Sequence, residues 1–202
     1  MLIKKIILII ICSTFFIFSS NSSNNKLFAA NNPGTFIMNM TLNAIKNLTN
    51  SSVSSEEKEE KFGELFDNNF DIPSISRFVL GKYWKSASLD QKKEFIKTFR
   101  NYIVKTYSTR FNDYSGQNLK LVKFENESNP KLFLVYTVLE TPDAPLIKIN
   151  WRVGKKKDKF VILDIVIEGI SLAVTQRSEF VSVIEQNNGK IDSLISLLKE
   201  KI

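Results

Sequence analysis

The chain has 202 residues, with 28 Lys and Arg against 21 Asp and Glu, one cysteine and no histidine. The absence of histidine excludes a Ser-His-Asp triad, a His-ligated zinc site and an imidazole proton relay. Cys12 lies in the N-terminal apolar run, so the rest of the chain has no disulfide. The mild positive excess is typical of a solvated surface rather than of nucleic-acid binding. We therefore expect no metal site, no cofactor and no nucleic-acid partner.

Residues 1–30 are typical of a cleaved secretory signal peptide. Lys4 and Lys5 precede the apolar run 6–18, which is too short to span a bilayer comfortably. Small residues at Ala29-Ala30 indicate a cleavage site, with 20–23 as an alternative and an uncleaved anchor as another. We predict an exported, periplasmic protein in which residues 31–202 form one domain.

Helical periodicity predicts a helix at 36–48, a second after Ser54 or Ser55, and a third at 73–80. Gly81 then permits a break in the chain. Ser88 opens a long helix in which aromatic residues recur every three to four positions as far as Tyr114. Such a stripe is either ordinary core packing or one wall of an apolar pocket.

Four strand patterns follow at 118–126, 131–141, 145–154 and 159–169, joined by short polar links, so we expect antiparallel hairpins. In the third strand, apolar and polar residues alternate, which places Trp151 and its apolar neighbours on one face.

In the fourth strand both faces are apolar, so we expect it to be covered on both sides. Its alternation divides the apolar residues into two sets: Phe160, Ile162 and Val166 against Val161, Leu163, Ile165 and Ile167.

Two terminal helices are predicted at about 171–187 and 189–200, the first with Ser171 as its N-cap. The sequence thus predicts an α+β fold with a four-stranded antiparallel sheet and helices from both ends of the chain.

Two blocks of residues carry a family resemblance. The first contains Phe70-Asp71, Ile75-Ser76-Arg77, Gly81, Tyr83-Trp84, Gln91, Phe95 and Phe99. The second contains Asp164, Glu168-Gly169, Ser171-Leu172, Gln176-Arg177 and Phe180. Over roughly 36–200 the chain resembles the MlaC family, the periplasmic phospholipid-binding proteins of the Mla (toluene-tolerance) ABC transport system. A departure is Lys159-Phe160, where the family usually has an aromatic pair.

The resemblance implies a curved sheet, wrapping helices and a non-enzymatic phospholipid carrier. As in the family, the carrier would take lipid from an outer-membrane lipoprotein–porin complex and deliver it to an inner-membrane ABC transporter through an MCE-domain ring, which maintains outer-membrane lipid asymmetry. Alternatives are a carrier of hopanoids or another apolar ligand, a pocket-bearing α+β enzyme, or a structural envelope protein with a solid core.

A diacyl phospholipid has roughly 30 methylene groups, each worth about 0.8 kcal/mol on burial, so exposing both tails would cost on the order of 20 kcal/mol. A carrier must therefore enclose them. The candidate cavity residues are Phe99, Ile103, Tyr107, Phe111, Leu134, Tyr136, Val138, Ile147, Ile149, Trp151, Val161, Leu163 and Ile165. Since spontaneous release would be very slow, we also predict a movable gate near Gly81 or Gly169.

The motif also contains four charged residues: Asp71, Arg77, Asp164 and Arg177. They form buried salt bridges and helix caps, or they contact a lipid headgroup. The lysine-rich run 155–159 is predicted to be a solvated hairpin tip, with contact to an acidic partner or a lipid phosphate as the alternative.

Overall fold

The computed structural model describes residues 32–50, 52–114, 116–141 and 144–202. The predicted signal peptide and its cleavage site lie outside these residues. Within the described ranges, the helices that precede the sheet are α1 (Pro33–Leu48), α2 (Ser55–Asn69), α3 (Ile72–Leu80), α4 (Tyr83–Ser86) and α5 (Leu89–Tyr107), followed by a 3₁₀ helix (Ser108–Asp113). None of the described helices is long and apolar enough to cross a membrane.

The sheet is antiparallel and its strands lie in chain order. They are β1 (Asn118–Asn126), β2 (Leu132–Glu140), β3 (Ile147–Lys156), β4 (Lys159–Ile167) and the short β5 (Ile170–Ser171). Helices α6 (Leu172–Gln186) and α7 (Ile191–Lys199) complete the chain. The predicted α+β class with helices from both ends of the chain is confirmed.

Side-chain caps explain where several helices begin. The Ser88 hydroxyl accepts a hydrogen bond from the Gln91 backbone N–H, and the Gln91 side chain accepts one from the Ser88 N–H, which forms a capping box. Asn32 caps α1, where Pro33 occupies the first turn, and Ser54 caps α2. These local signals could be read from the sequence.

Several boundaries differ from the sequence prediction by two or three residues, such as the start of α1 at Pro33 in place of 36, and two differences are larger. The long helix was expected to continue to Tyr114, but α5 ends at Tyr107 and the chain tightens into the 3₁₀ helix. The sheet has a fifth strand, because Glu168 and Gly169 both adopt positive φ and fold Ile170 back onto Ile167. This turn is short enough for Ser171 to pair with β4 and also cap α6.

The side chains of β4 do not alternate as predicted. The register shifts opposite the step from Arg152 to Val153, so that Trp151 faces Ile165 while Val153 faces Ile162. This bulge places Ile165 on the same face as Ile162, whereas the sequence alternation had put them on opposite faces. The Leu163 side chain lies on the outer face of the sheet, where its Cδ1 is 3.0 Å from the position that a Cβ at Gly154 would occupy.

The interior consists of two apolar clusters. The first, which we call the helical core, contains buried side chains of α2, α3, α5, α6, α7 and the C-terminal half of α1. The second, the sheet core, lies between one face of the sheet and the N-terminal half of α1. Leu65 and Phe70 pack against both clusters, and the Phe70–Ile162 bridge joins the end of α2 to β4.

Candidate functional site

The sheet core is an apolar layer built on one face of the sheet. The pairings Phe133–Val153, Val135–Trp151 and Trp151–Ile165 place these side chains on one face, which we call the inner face. Val135, Val153 and Ile162 are fully buried there. The partly buried residues packed against this cluster include Phe36, Met38, Leu139, Ile149, Phe160 and Ile165.

Helix α1 covers this face and approaches β1 closely. Ile37 is fully buried, and Met40 is also part of the sheet core. A Cβ added at Gly34 would lie 2.9 Å from Leu121 Cδ2 and 3.0 Å from Phe124 Cδ1, so only glycine permits this approach without a shift. Leu121 and Phe124 are 39% and 41% exposed. The apolar inner face therefore continues to the surface along the first turn of α1.

Two polar side chains on the inner face, Trp151 and Thr137, are paired with each other. The Trp151 indole Nε1–H donates to Thr137 Oγ1 at 3.0 Å, and the Thr137 hydroxyl donates to the Ile149 carbonyl at 2.6 Å. Among the described residues, no group of three or more His, Cys, Asp or Glu side chains could hold a metal ion. This face is suited to hydrocarbon.

The two buried acids of the family motif, Asp71 and Asp164, cap the N-termini of helices. Asp71 caps α3 through Ser74 and pairs with Lys156, whose Nζ lies 3.2 Å from Oδ2. Burial by itself raises the pKa of Asp71, but hydrogen bonds from Ser74 and Lys156 outweigh it and hold the pKa below its ordinary value. Asp164 accepts the Ala173 backbone N–H at 3.0 Å and the Ser171 hydroxyl at 2.6 Å. Both acids therefore have the capping role that was one of the two predictions.

The predicted cavity residues do not converge on one place. Ile147, Ile149, Trp151 and Ile165 lie on the inner face. Val161 and Leu163 lie on the outer face, beside Gly154.

Leu134, Tyr136 and Val138 also lie on the outer face, since they pair with Arg152, Asn150 and Lys148. The Tyr136 hydroxyl donates to Glu125 at 2.6 Å, and this hydrogen bond raises the pKa of the tyrosine.

The predicted residues of the long helix belong to the helical core. Phe99 contacts Phe180 edge-on, with ring centroids 5.8 Å apart, and Phe111 contacts Phe62 at 5.7 Å. Ile103 and Tyr107 pack in the same cluster, and burial raises the pKa of Tyr107. The stripe therefore packs against α2 and α6, not against the strands it was expected to face.

Sequence reasoning missed the other half of the inner face. It chose Leu134, Tyr136 and Val138 in β2, whereas Phe133 and Val135 point inward. It also left α1 out of the site. The available signal was the helical apolar period of α1, which predicted a buried face but not its partner.

The described surface includes two grooves outside these clusters. One, of about 370 Å³, lies between α3, α4 and α6 and includes Arg77 and Arg177. The other, of about 440 Å³, lies between α6 and α7 and includes Asp192 and Glu200. Neither lies between the sheet and α5, where the cavity was predicted.

An antiparallel sheet whose apolar face is covered by a single helix defines a fold suited to holding an apolar ligand. The comparisons agree with that class. A family model described as MlaC protein matches residues 37–200. The chain therefore belongs to the MlaC family.

Two similar proteins are instructive. The intermembrane phospholipid transport system binding protein MlaC of Haemophilus influenzae is 30% identical over 126 residues, which cover 60% of this chain and 58% of that relative. The solved structure of the phospholipid-binding protein from Ralstonia solanacearum, in complex with a phospholipid, matches with a TM-score of 0.74 at 16% identity. That match covers 83% of this chain and 95% of the other, and it shows the shared fold.

Proposed function

We propose that this protein is a non-enzymatic phospholipid carrier of the periplasm, which moves lipid between the outer and inner membranes and so maintains outer-membrane lipid asymmetry. The observation that carries the proposal is the apolar inner face of the sheet in a member of the MlaC family. The names of the Haemophilus and Ralstonia relatives, which refer to phospholipid transport and phospholipid binding, support it.

The lipid tails lie against the inner face, beneath α1. Three of the predicted site residues support this placement most directly because they belong to or pack against the sheet core: Ile149, Trp151 and Ile165. The tails reach the face where α1 meets β1, because Leu121 and Phe124 extend the apolar surface to solvent there. A hydrocarbon chain at this site leaves the Trp151 indole N–H satisfied, since it already donates to Thr137.

The partners are those of the family system. An outer-membrane lipoprotein–porin complex donates the lipid, and an inner-membrane ABC transporter with an MCE-domain ring accepts it. Burying two tails is worth on the order of 20 kcal/mol, so release into water is negligible on its own. Handover therefore requires a partner that opens or abuts the site. A catalytic role is disfavoured because the buried carboxylates Asp71 and Asp164 are engaged as caps.

Native mass spectrometry of the protein purified from the periplasm tests the carrier function. We expect a co-purifying mass that matches a diacyl phospholipid. A co-purifying mass that matches a hopanoid would show that the carrier binds a different lipid class. A bare polypeptide after gentle extraction would overturn the proposal.

A reversible cross-link tests where the tails enter. Cys12 is the chain's single cysteine, so a Gly34→Cys, Leu121→Cys pair can be oxidised selectively in the mature protein. We expect the oxidised protein to load a fluorescent phospholipid from vesicles much more slowly than wild type, because α1 is fixed to β1. Reduction should restore loading, which makes the reduced protein its own matched control. Equal loading in both redox states would show that the tails enter elsewhere.

A further inference from the structure

The groove between α3, α4 and α6 combines cations with exposed aromatic rings. It is lined by Arg77, Lys85 and Arg177, together with Phe78 and Trp84. No carboxylate of the described residues lies within ion-pair distance of these three cations. Elsewhere on the surface many lysines and arginines have an acidic partner, as Lys82 has in Glu185 at 2.8 Å. The charges in this groove are therefore available to a ligand from outside.

Arg177 is held in place by its surroundings. Its guanidinium carbon lies 5.2 Å from the centroid of the Phe78 ring, within cation–π range. A Cβ added at Gly81 would come within 3.0 Å of Arg177 Nε, so the glycine makes room for the guanidinium. The positive φ of Gly81, 56°, also favours glycine at this position. An arginine fixed in this way presents its planar fork to phosphate or carboxylate oxygens.

Exposed apolar side chains lie on two of the helices that form this groove and on the neighbouring helix α5. Phe78 is 41% exposed and Val174, one helical turn before Arg177, is 50% exposed. Leu89 is 74% exposed and lies one turn before Lys92, whose ammonium is 5.6 Å from the Trp84 ring centroid. These exposed side chains come from three helices, so the apolar surface extends beyond the groove itself.

We propose that this surface docks the protein onto the anionic phospholipid headgroups of a bilayer. Trp, Lys and Arg share the headgroup region, where Leu and Val can also insert. Each Lys or Arg near an anionic surface strengthens attachment by about fivefold. Asp90 follows Leu89 and adds an acid to this surface, but the cations outnumber it. The inference goes beyond the carrier function, because docking by this surface does not require a bound lipid in the protein.

Vesicle co-flotation of the full mature protein tests the docking. The probes are vesicles of phosphatidylcholine alone and of phosphatidylcholine mixed with phosphatidylglycerol. We expect binding to the mixed vesicles only, and weakening by added salt because exposed charges are screened. The Arg77→Gln, Lys85→Gln variant should bind about 25-fold more weakly, given about fivefold for each cation. Leu89→Gln, which keeps every charge, should also weaken binding.

The matched control is Lys155→Gln, Lys157→Gln, which removes the same charge from the β3–β4 hairpin tip. It should bind like wild type. An equal or larger loss in this control would place the membrane contact at the hairpin and overturn the proposal. Binding to polyglutamate without binding to phosphatidylglycerol vesicles would also overturn it, in favour of an acidic protein partner. Native mass spectrometry of the same variants tests the carrier function separately. Their content of co-purified phospholipid should equal that of wild type, whatever their binding to vesicles.

Discussion

Replacing Asp164 by asparagine tests whether a buried carboxylate joins the sheet to α6. The Asp164 side chain is 4% exposed, and Arg152 Nη1 lies 3.6 Å from its Oδ2. One oxygen accepts the Ala173 N–H and the other accepts the Ser171 hydroxyl. The amide oxygen of asparagine can still accept the Ala173 N–H, and its NH₂ group can donate to the second lone pair of Ser171 Oγ, whose first lone pair accepts the Val174 N–H at 3.0 Å. The Ser171 hydroxyl proton, however, loses its charged acceptor.

The loss of one charge-assisted hydrogen bond in a buried site costs about 1.5–3 kcal/mol, so we expect Asp164→Asn to lower the free energy of unfolding by about 2 kcal/mol. Urea unfolding followed by circular dichroism measures this change. The protein should be stripped of lipid first, because a bound ligand adds its own stability. The matched control is Asp158→Asn in the exposed hairpin turn, with an expected change of at most about 0.5 kcal/mol.

The opposite pattern would refute the capping role. If Asp164→Asn unfolded like wild type but lost its co-purifying lipid, the carboxylate would be a headgroup contact. A double-mutant cycle with Ser171→Ala adds a second criterion. Groups in one hydrogen-bond network couple by about 0.5–3 kcal/mol, so strictly additive effects would also contradict the reasoning.

Two further substitutions have defined outcomes. Thr137→Val leaves the buried Trp151 indole N–H without an acceptor and should lower the free energy of unfolding by about 1–3 kcal/mol. Most of that loss should disappear in a Trp151→Phe background, which has no indole N–H. Asp71→Asn should destabilise near neutral pH, since the folded pKa of Asp71 lies below the ordinary value of 3.8. The stabilisation is present above that value and is lost as pH falls through the lower folded pKa, so the difference between variant and wild type in urea unfolding should shrink in acid. A difference that grew in acid would contradict this sign.

Local signals in the sequence were sufficient for much of the fold. Ser88 followed three residues later by Gln91 is the pattern of a capping box, and that box is formed. Glu168-Gly169 indicated a turn between strand and helix, and both residues adopt positive φ there. In each case the determining contacts lie within a few residues, so no knowledge of tertiary structure was needed.

The inner face of β2 could not be identified in the same way. Leu134 and Val138 form one apolar set along the strand, and Phe133 and Val135 belong to the other. The polar Thr137 made the second set look less buried, yet it is 1% exposed because it pairs with Trp151. Alternation cannot choose between two apolar sets, since the choice depends on what covers each face.

The partner of the long helix was also beyond the sequence. A helical period shows that α5 has an apolar face, but not which element packs on it. Helix α2 takes that position through Phe62, which contacts Phe111 at the end of the stripe. The β4 bulge had no signal either, because an apolar residue at Leu163 suits both faces.

The energetics of α1 decide whether a lipid can open the proposed site by itself. When lipid tails replace the N-terminal half of α1, the sheet stays covered and the newly exposed side chains are those of Phe36, Ile37, Met38 and Met40. Each is worth about 1.5–3 kcal/mol when fully buried, so the cost is on the order of 10 kcal/mol. Two buried lipid tails return on the order of 20 kcal/mol. A bound lipid can therefore hold α1 away from β1. Amide hydrogen exchange in α1 should be faster in lipid-loaded than in lipid-free protein. Equal protection in the two forms would mean that the tails lie elsewhere.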